Sequence, residues 1–227
     1  MSQSPKADIL LNRLISARVP FAANDSIAEH LSAEDIAAIE GEVAERFENV
    51  LDALLIQRDH NTQGTAKRVA KMYVREIFAG RYEKRPAMTD FPNARNLDEL
   101  YTVGPIAVRS TCSHHFCPIE GEAWCGVVPG DKVIGLSKFT RLSRWVLARP
   151  QIQEEAVVQL ADELEDLIKP RALAVVIRSR HSCMTLRGVM EHETSMTTSV
   201  MRGLFKTDAK ARAEFLATIA GQGFSCR

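Results

Sequence analysis

The order in which helical and strand-like patterns follow one another along the 227 residues constrains the fold most. A capping-box pattern at Ser32 precedes an apolar stripe with steps of three and four residues, and a second stripe follows at 65–78. The remaining segments come in pairs: strands at 100–110 and 121–128, helices at 137–148 and 150–168, strands at 172–184 and within 187–201, and a last helix at 208–219. This order predicts an α+β fold, in which helices cover one face of an antiparallel four-stranded sheet.

Three regions are expected along the chain. Residues 1–30 show little periodicity and are predicted to be a mobile N-terminal arm. Residues 31–80 carry the two amphipathic stripes and are predicted to be a helical region. Residues 81–227 contain the predicted sheet and most of the candidate catalytic and metal-binding residues, so they are expected to form the catalytic domain.

Composition excludes several classes of partner. Lys plus Arg and Asp plus Glu both total 29, so the chain has no overall field that attracts nucleic acid or an anionic membrane. No apolar run reaches the ~18 residues of a membrane helix, and the N-terminus lacks the pattern of a signal peptide. The cysteines number 5, which argues against a disulfide framework. A cytoplasmic protein with reduced thiols is therefore expected.

Two short segments concentrate the residues that bind metals. The first runs from Cys112 to Cys117 and includes His114 and His115, and Cys and His at such spacing can reach one tetrahedral ion. In the second, His181 and Cys183 are two residues apart, so on a strand they would point to the same face, as would Arg187. Three such ligands with one open position are typical of a catalytic zinc site, in which zinc activates water.

Spacing alone leaves the ligand choice open, and buried thiols beside packed histidines remain the simpler interpretation of either segment. The candidate ligands are Cys112, His114, His115, Cys117, His181 and Cys183.

A candidate anion site and a candidate base-recognition site lie between these segments. Ser137 opens a helix, and Lys138 and Arg141 lie one turn apart, so they could bind a polyphosphate at the helix N-terminus. A solvated basic face explains the same spacing. Glu154 is expected on the inward stripe of the next helix, where a guanine edge would supply two matched donors. The alternative is an acidic residue that favours the start of a helix.

Several segments in the same order resemble GTP cyclohydrolase I, over about two thirds of the chain. They are Arg68 to Val74, Cys112 to His115, Val133 to Lys138, Arg149 to Glu154, His181 to Cys183, Arg187-Gly188, Thr197 to Ser199 and Gly203 to Phe205. The resemblance implies the tunnelling fold and a homodecamer of two pentamers, with active sites between subunits. It implies conversion of GTP to formate and 7,8-dihydroneopterin triphosphate, the entry to folate and other pterins.

The resemblance also assigns roles residue by residue. Cys112, His115 and Cys183 match the ligands of Zn²⁺, and His114 and His181 match the histidines of proton transfer. Matches to the contacts with the guanine base, the triphosphate and the ribose are Gln153, Glu154, Ser137, Lys138, Arg141, Arg187 and Arg68.

Three departures from the family pattern leave alternatives. Ser113 stands where the family usually has Glu, Ala66 replaces a common Pro, and Met201-Arg202-Gly203 is bulkier and more basic than usual. One alternative is a divergent enzyme that acts on another purine nucleotide or stops at the ring-opened formamidopyrimidine. Another is a protein without activity, in which Cys117 closes a structural zinc site.

Overall fold

The computed structural model describes residues 5–222. The chain divides into two compact units, Met1–Lys84 and Arg85–Arg227. Within the described range, no helix is long and apolar enough to span a membrane.

The N-terminal unit is helical. Its elements are α1 (Pro5–Ser16), a 3₁₀ turn (Ala28–His30), α2 (Ala33–Ala53), α3 (Thr65–Met72), a π-helical turn (Tyr73–Ile77) and α4 (Ala79–Tyr82). The Ser32 hydroxyl accepts from the Asp35 N–H at 3.1 Å and the Asp35 carboxylate accepts from the Ser32 N–H at 3.0 Å, which completes the expected capping box. Helix α2 packs on α3 and the π-helical turn, where the rings of Phe47 and Tyr73 stack with centroids 6.0 Å apart.

The C-terminal unit combines a sheet with helices. Its elements are β1 (Asp90–Pro92), β2 (Tyr101–Cys112), β3 (Pro118–Val128), β4 (Lys132–Ile134), α5 (Leu136–Leu147), β5 (Pro150–Gln151), α6 (Gln153–Ile168), β6 (Ala172–His181), α7 (Ser182–Thr185), β7 (Met196–Gly203), α8 (Leu204–Thr207) and α9 (Ala209–Gly221). The mixed α+β composition agrees with the sequence prediction.

The main sheet has five strands in the order β5-β2-β3-β6-β7, and β1 pairs separately with β4. The four long strands are antiparallel neighbours. The unpredicted fifth strand is the short β5, which runs parallel to the end of β2 and pairs Cys112 with Gln151. A strand of two residues is too short to show an alternation of apolar and polar residues in the sequence. It can be identified only from its pairing with β2 in the structure.

Helices cover both faces of this sheet, so the prediction of helices on one face is wrong. Along β6, Leu173, Val175 and Ile177 join the core under α5 and α6. The intervening Ala172, Ala174 and Val176 pack on the other side with Phe205, Phe215 and Ile219 of α8 and α9. The continuous apolar run of β6 is the signal for burial on both faces. Gly126 makes room for α9, because a Cβ there would lie 2.4 Å from the Phe215 ring.

Candidate active site

A tight turn joins β2 to β3 and presents the first metal-binding segment. The Cys112 N–H donates to the Cys117 carbonyl at 2.9 Å, and the Phe116 N–H donates to the Cys112 carbonyl at 2.9 Å. Phe116 adopts a left-handed φ of 53°, which closes the turn. The Ser113 N–H bonds to the Gln151 carbonyl of β5 at 3.2 Å. Cys112 is consequently buried, whereas the side chains of His114 and His115 are exposed.

The second segment differs from its prediction. Strand β6 ends at His181, and Cys183 lies in the helical turn α7, so the argument that strand alternation aligns His181, Cys183 and Arg187 is wrong. The Cys183 thiol instead turns towards Cys112. Burial raises the pKa of Cys183, and the hydrogen bond and charge of Cys112, with the charge of Cys117, raise it further.

The fold brings Cys112, His115 and Cys183 together. Their candidate ligand atoms all lie within 4.8 Å of one another. Ligands of a tetrahedral zinc ion are about 3.8 Å apart, given Zn–S bonds of ~2.3 Å. Two thiols and an imidazole this close together are also an arrangement that a bound cation would stabilise, with the thiols as thiolates. The donor set and its spacing therefore fit a zinc ion after small adjustments.

Cys117 is placed differently from these three residues. Its thiol points to the His115 carbonyl, with the sulfur 3.7 Å from that oxygen, and it is not a member of the compact group. This geometry does not favour Cys117 as a fourth ligand.

The two histidines expected to move protons lie on different elements. The His114 Nδ1 is 3.6 Å from the Cys112 sulfur. His181 is half-buried at the end of β6, and burial lowers its pKa while the charge of Glu154 opposes that effect. A neutral His181 is therefore favoured at physiological pH.

Gln153 is buried beside His181. Its amide nitrogen lies within hydrogen-bond distance of three acceptors that share its two hydrogens, the Ile177 carbonyl at 3.0 Å, the Met196 carbonyl at 3.2 Å and the Thr198 hydroxyl at 3.0 Å. Its amide oxygen lies 3.0 Å from the His181 Nε2 and accepts from the Ser179 hydroxyl. Both polar atoms of the amide are thus committed to protein partners.

Glu154 does not face inward. Its side chain is exposed, whereas Gln153, Ala156 and Val157 of the same helix are buried, so the predicted inward orientation is wrong. The buried face of α6 begins at Gln153, because Gln153 lies four residues before the buried Val157 and therefore on the same side of the helix. Glu154 nevertheless lies close enough to His181 to affect its pKa, which puts its carboxylate at the rim of the same site.

The candidate anion-binding residues fall into three places. Ser137, Lys138 and Arg141 lie in the first turns of α5, with Ser137 and Arg141 exposed and the Lys138 Nζ 3.3 Å from the Ala87 carbonyl. A guanidinium nitrogen of Arg187 lies 3.0 Å from the His115 Nε2, so Arg187 borders the metal-binding group. Arg68 belongs to the N-terminal unit, where its guanidinium bonds to the Asn61 and Gln63 carbonyls and the Thr65 hydroxyl.

Two buried polar residues beside the candidate site, Gln151 and Ser179, were not predicted from the sequence. Gln151 is buried and its amide nitrogen bonds to the Ser110 hydroxyl and the carbonyls of Val146 and Leu147, which ties the end of β2 to α5. Ser179 is buried and shares its face of β6 with His181. The two-residue period of a strand is the signal that could have identified Ser179.

The chain matches known proteins over most of its length. Residues 43–220 match the family model described as GTP cyclohydrolase I. The relative named GTP cyclohydrolase 1 in Aliivibrio salmonicida is 37% identical over 78% of this chain and 82% of its own. The relative of that name in Shewanella amazonensis is 42% identical over 70% of this chain and 74% of its own. That in Yersinia enterocolitica is 40% identical over 73% of this chain and 76% of its own. A solved structure, the archaeosine synthase QueF-Like in the apo form, aligns at 14% identity over 53% of this chain and 97% of its own with a TM-score of 0.36, which supports no inference.

Proposed function

Because the chain belongs to the GTP cyclohydrolase I family, we propose that it hydrolyses GTP to formate and 7,8-dihydroneopterin triphosphate at a zinc site formed by Cys112, His115 and Cys183. It is a hydrolase, and the names of its relatives do not favour a different purine nucleotide. The observation that carries the proposal is the convergence of these three side chains from two separate segments, on a chain that matches the family. The product would enter tetrahydrofolate biosynthesis.

The donor set supports zinc in particular. Two thiolates and one imidazole suit a borderline-soft ion, and three protein ligands leave a position for water. A zinc ion bound there would supply Lewis acidity that allows water to be deprotonated near neutral pH. The Arg187 guanidinium lies against the His115 imidazole, so it is placed to bring an anionic substrate beside the ligands.

The proposed division of work among the other residues follows their positions. His181, held neutral by burial, accepts and returns protons at the purine, and His114 does so from the turn that carries the ligands. Ser137, Lys138 and Arg141 bind the triphosphate at the N-terminus of α5, joined by Arg187. Fixing both ends of the nucleotide places C8 of the purine at the reacting group, which is catalysis by positioning.

We expect Glu154→Gln to weaken GTP binding about 10- to 100-fold, because a carboxylate that accepts from the N1–H and the exocyclic amine makes two charge-assisted hydrogen bonds. Zinc content should stay normal, since Glu154 is not in the ligand group. Isothermal titration with a slowly converted GTP analogue measures the affinity. Glu155→Gln, on the next residue of α6, is the matched control. Unchanged affinity in Glu154→Gln would assign Glu154 to the start of the helix instead.

We further propose the tunnelling fold, assembly as a decamer of two pentamers, a cytoplasmic location, and residues 81–227 as the catalytic domain after a helical region (31–80). The exposure of His115, Ser137 and Arg141 in a single chain supports sites that a neighbouring subunit completes. Light scattering on the purified full chain tests the assembly. A stable monomer with full activity would contradict a shared site.

Incubation of the purified protein with GTP tests the reaction itself. Formate and a fluorescent pterin, the latter after oxidation, are the expected products in equal amounts. Formate without pterin would identify an enzyme that stops after the formyl group is lost, because the formamidopyrimidine itself still carries that group. Neither product would contradict the proposed function.

A further inference from the structure

The buried amide of Gln153 can have only one orientation. Its nitrogen faces the backbone carbonyls of Ile177 and Met196, at 3.0 and 3.2 Å, and these groups can only accept hydrogen bonds. The NH₂ group must therefore be on that side. The amide oxygen is then fixed on the other side, towards Ser179 and His181.

This orientation determines the tautomer of His181. The Gln153 Oε1 can only accept, so the His181 Nε2 at 3.0 Å must carry a hydrogen. In the neutral imidazole, Nδ1 then holds the lone pair. The Ser179 hydroxyl donates to the same oxygen and lies 3.4 Å from the His181 Nε2, so it helps to hold that oxygen beside the ring.

The strands fix this network in place. Gly121 pairs with Ser179 across β3 and β6, and a Cβ at position 121 would lie 2.6 Å from the Ser179 Cβ. Ser179 is 1% exposed and Gln153 is 3% exposed. Polar groups this deeply buried, with every amide atom bonded, have one stable arrangement.

We propose that Gln153 and Ser179 are positioning residues that set the ring orientation and tautomer of His181 and leave its Nδ1 to exchange protons with the substrate. This role replaces the substrate contact that the family resemblance implies for Gln153, because the amide has no capacity left for a guanine edge. The inference rests on the proposed proton-transfer role of His181.

The first test is the variant Gln153→Met, which keeps the side-chain length and removes the acceptor for His181. We expect kcat to fall about 10- to 100-fold, the usual cost of losing a group that orients a functional side chain, while the KM for GTP and the zinc content stay near those of the wild type. Gln159→Met, on the same helix and half-buried, is the matched control. A raised KM at unchanged kcat would overturn the proposal, as would an unchanged kcat.

A second variant guards against a general effect of Gln153 on folding. Ser179→Ala removes one donor to the Gln153 amide oxygen and leaves the Gln153 amide nitrogen bonded to β6 and β7. We therefore expect kcat to fall about two- to tenfold, which corresponds to the loss of one hydrogen bond. Ser143→Ala, at a fully buried serine of α5, is its control and should leave kcat unchanged. Equal kcat values in the two serine variants would overturn the role of Ser179.

The tautomer can be read without any turnover. Solid-state ¹⁵N NMR of histidine-labelled protein separates ring nitrogens with and without hydrogen, and a His181→Asn sample identifies the relevant signal. The wild type should carry hydrogen on Nε2 and none on Nδ1, and Gln153→Met should show a mixture. Hydrogen on Nδ1 in the wild type would overturn the inference. If the wild type does not convert GTP, the proposed function fails, while this spectrum still decides the tautomer.

Discussion

Cys183→Ala is expected to abolish zinc binding and GTP turnover together. The variant removes one of the three side chains whose ligand atoms lie within 4.8 Å of one another, and the remaining thiol and imidazole cannot complete the site. Turnover should fall by more than about 100-fold, because changing a residue that merely orients a ligand already costs about 10- to 100-fold. Metal analysis and the formate assay on the same preparation measure both effects.

The neighbouring thiol provides a matched control. Cys117→Ala changes a residue whose thiol points to the His115 carbonyl, outside the compact group, and should keep both zinc and turnover. Loss of zinc in Cys117→Ala would instead identify a closed, structural site with a fourth cysteine ligand. Full turnover in zinc-free Cys183→Ala would contradict the assignment of Cys183.

His181→Asn is the second variant with a large expected effect. If His181 moves protons at the purine, its loss should lower kcat by about 10²- to 10⁴-fold, the usual contribution of a positioned acid or base. Zinc content should be retained, because His181 is bonded to Gln153 and is not in the ligand group. Steady-state kinetics with GTP and metal analysis provide the two measurements.

His60→Asn is the control for that variant, since His60 is exposed in the N-terminal unit. It should leave kcat unchanged. If His181→Asn loses zinc in proportion to activity, the effect of His181 is on the metal site and its proton-transfer role fails.

The sequence predicted the elements of the fold better than their arrangement. The strands β2, β3 and β6 and the helices α5, α6 and α9 were expected near their observed bounds, because their periodicities extend over many residues, whereas β7 was placed only somewhere within 187–201. The placement of α9 on the opposite face was not expected. The position of α9 depends on the packing of Phe215 against Gly126 and Phe205, and such contacts between separate elements leave no periodic pattern in the sequence. The only sign in the sequence that both faces of the sheet are covered was the uninterrupted apolar run of β6.

The candidate site shows the same division. Spacing identified the segments at 112–117 and 181–183, but it could not choose ligands, because a single turn decides where each side chain points. The strand ended at His181 rather than continuing, so Cys183 reaches Cys112 through a helical turn. Likewise, Glu154 was expected to face inward, but the buried position is Gln153, one residue earlier, since one position on a helix rotates a side chain by about 100°.

Ser113 is the departure closest to the ligands. Its N–H bonds to the Gln151 carbonyl, so the backbone of the turn does not depend on the carboxylate that the family usually has there. The neutral side chain leaves one negative charge fewer beside a site that contains two thiols. Nothing in the structure explains why serine occupies this position.

Zinc content and GTP turnover, measured on one purified sample before and after chelation and again after zinc is restored, test the central claim most directly. The account predicts zinc in stoichiometric amount, formate and pterin in equal amounts, loss of both products with the metal, and recovery of both with zinc. Full turnover by the zinc-free protein, or a zinc-loaded protein that forms neither product, would contradict it.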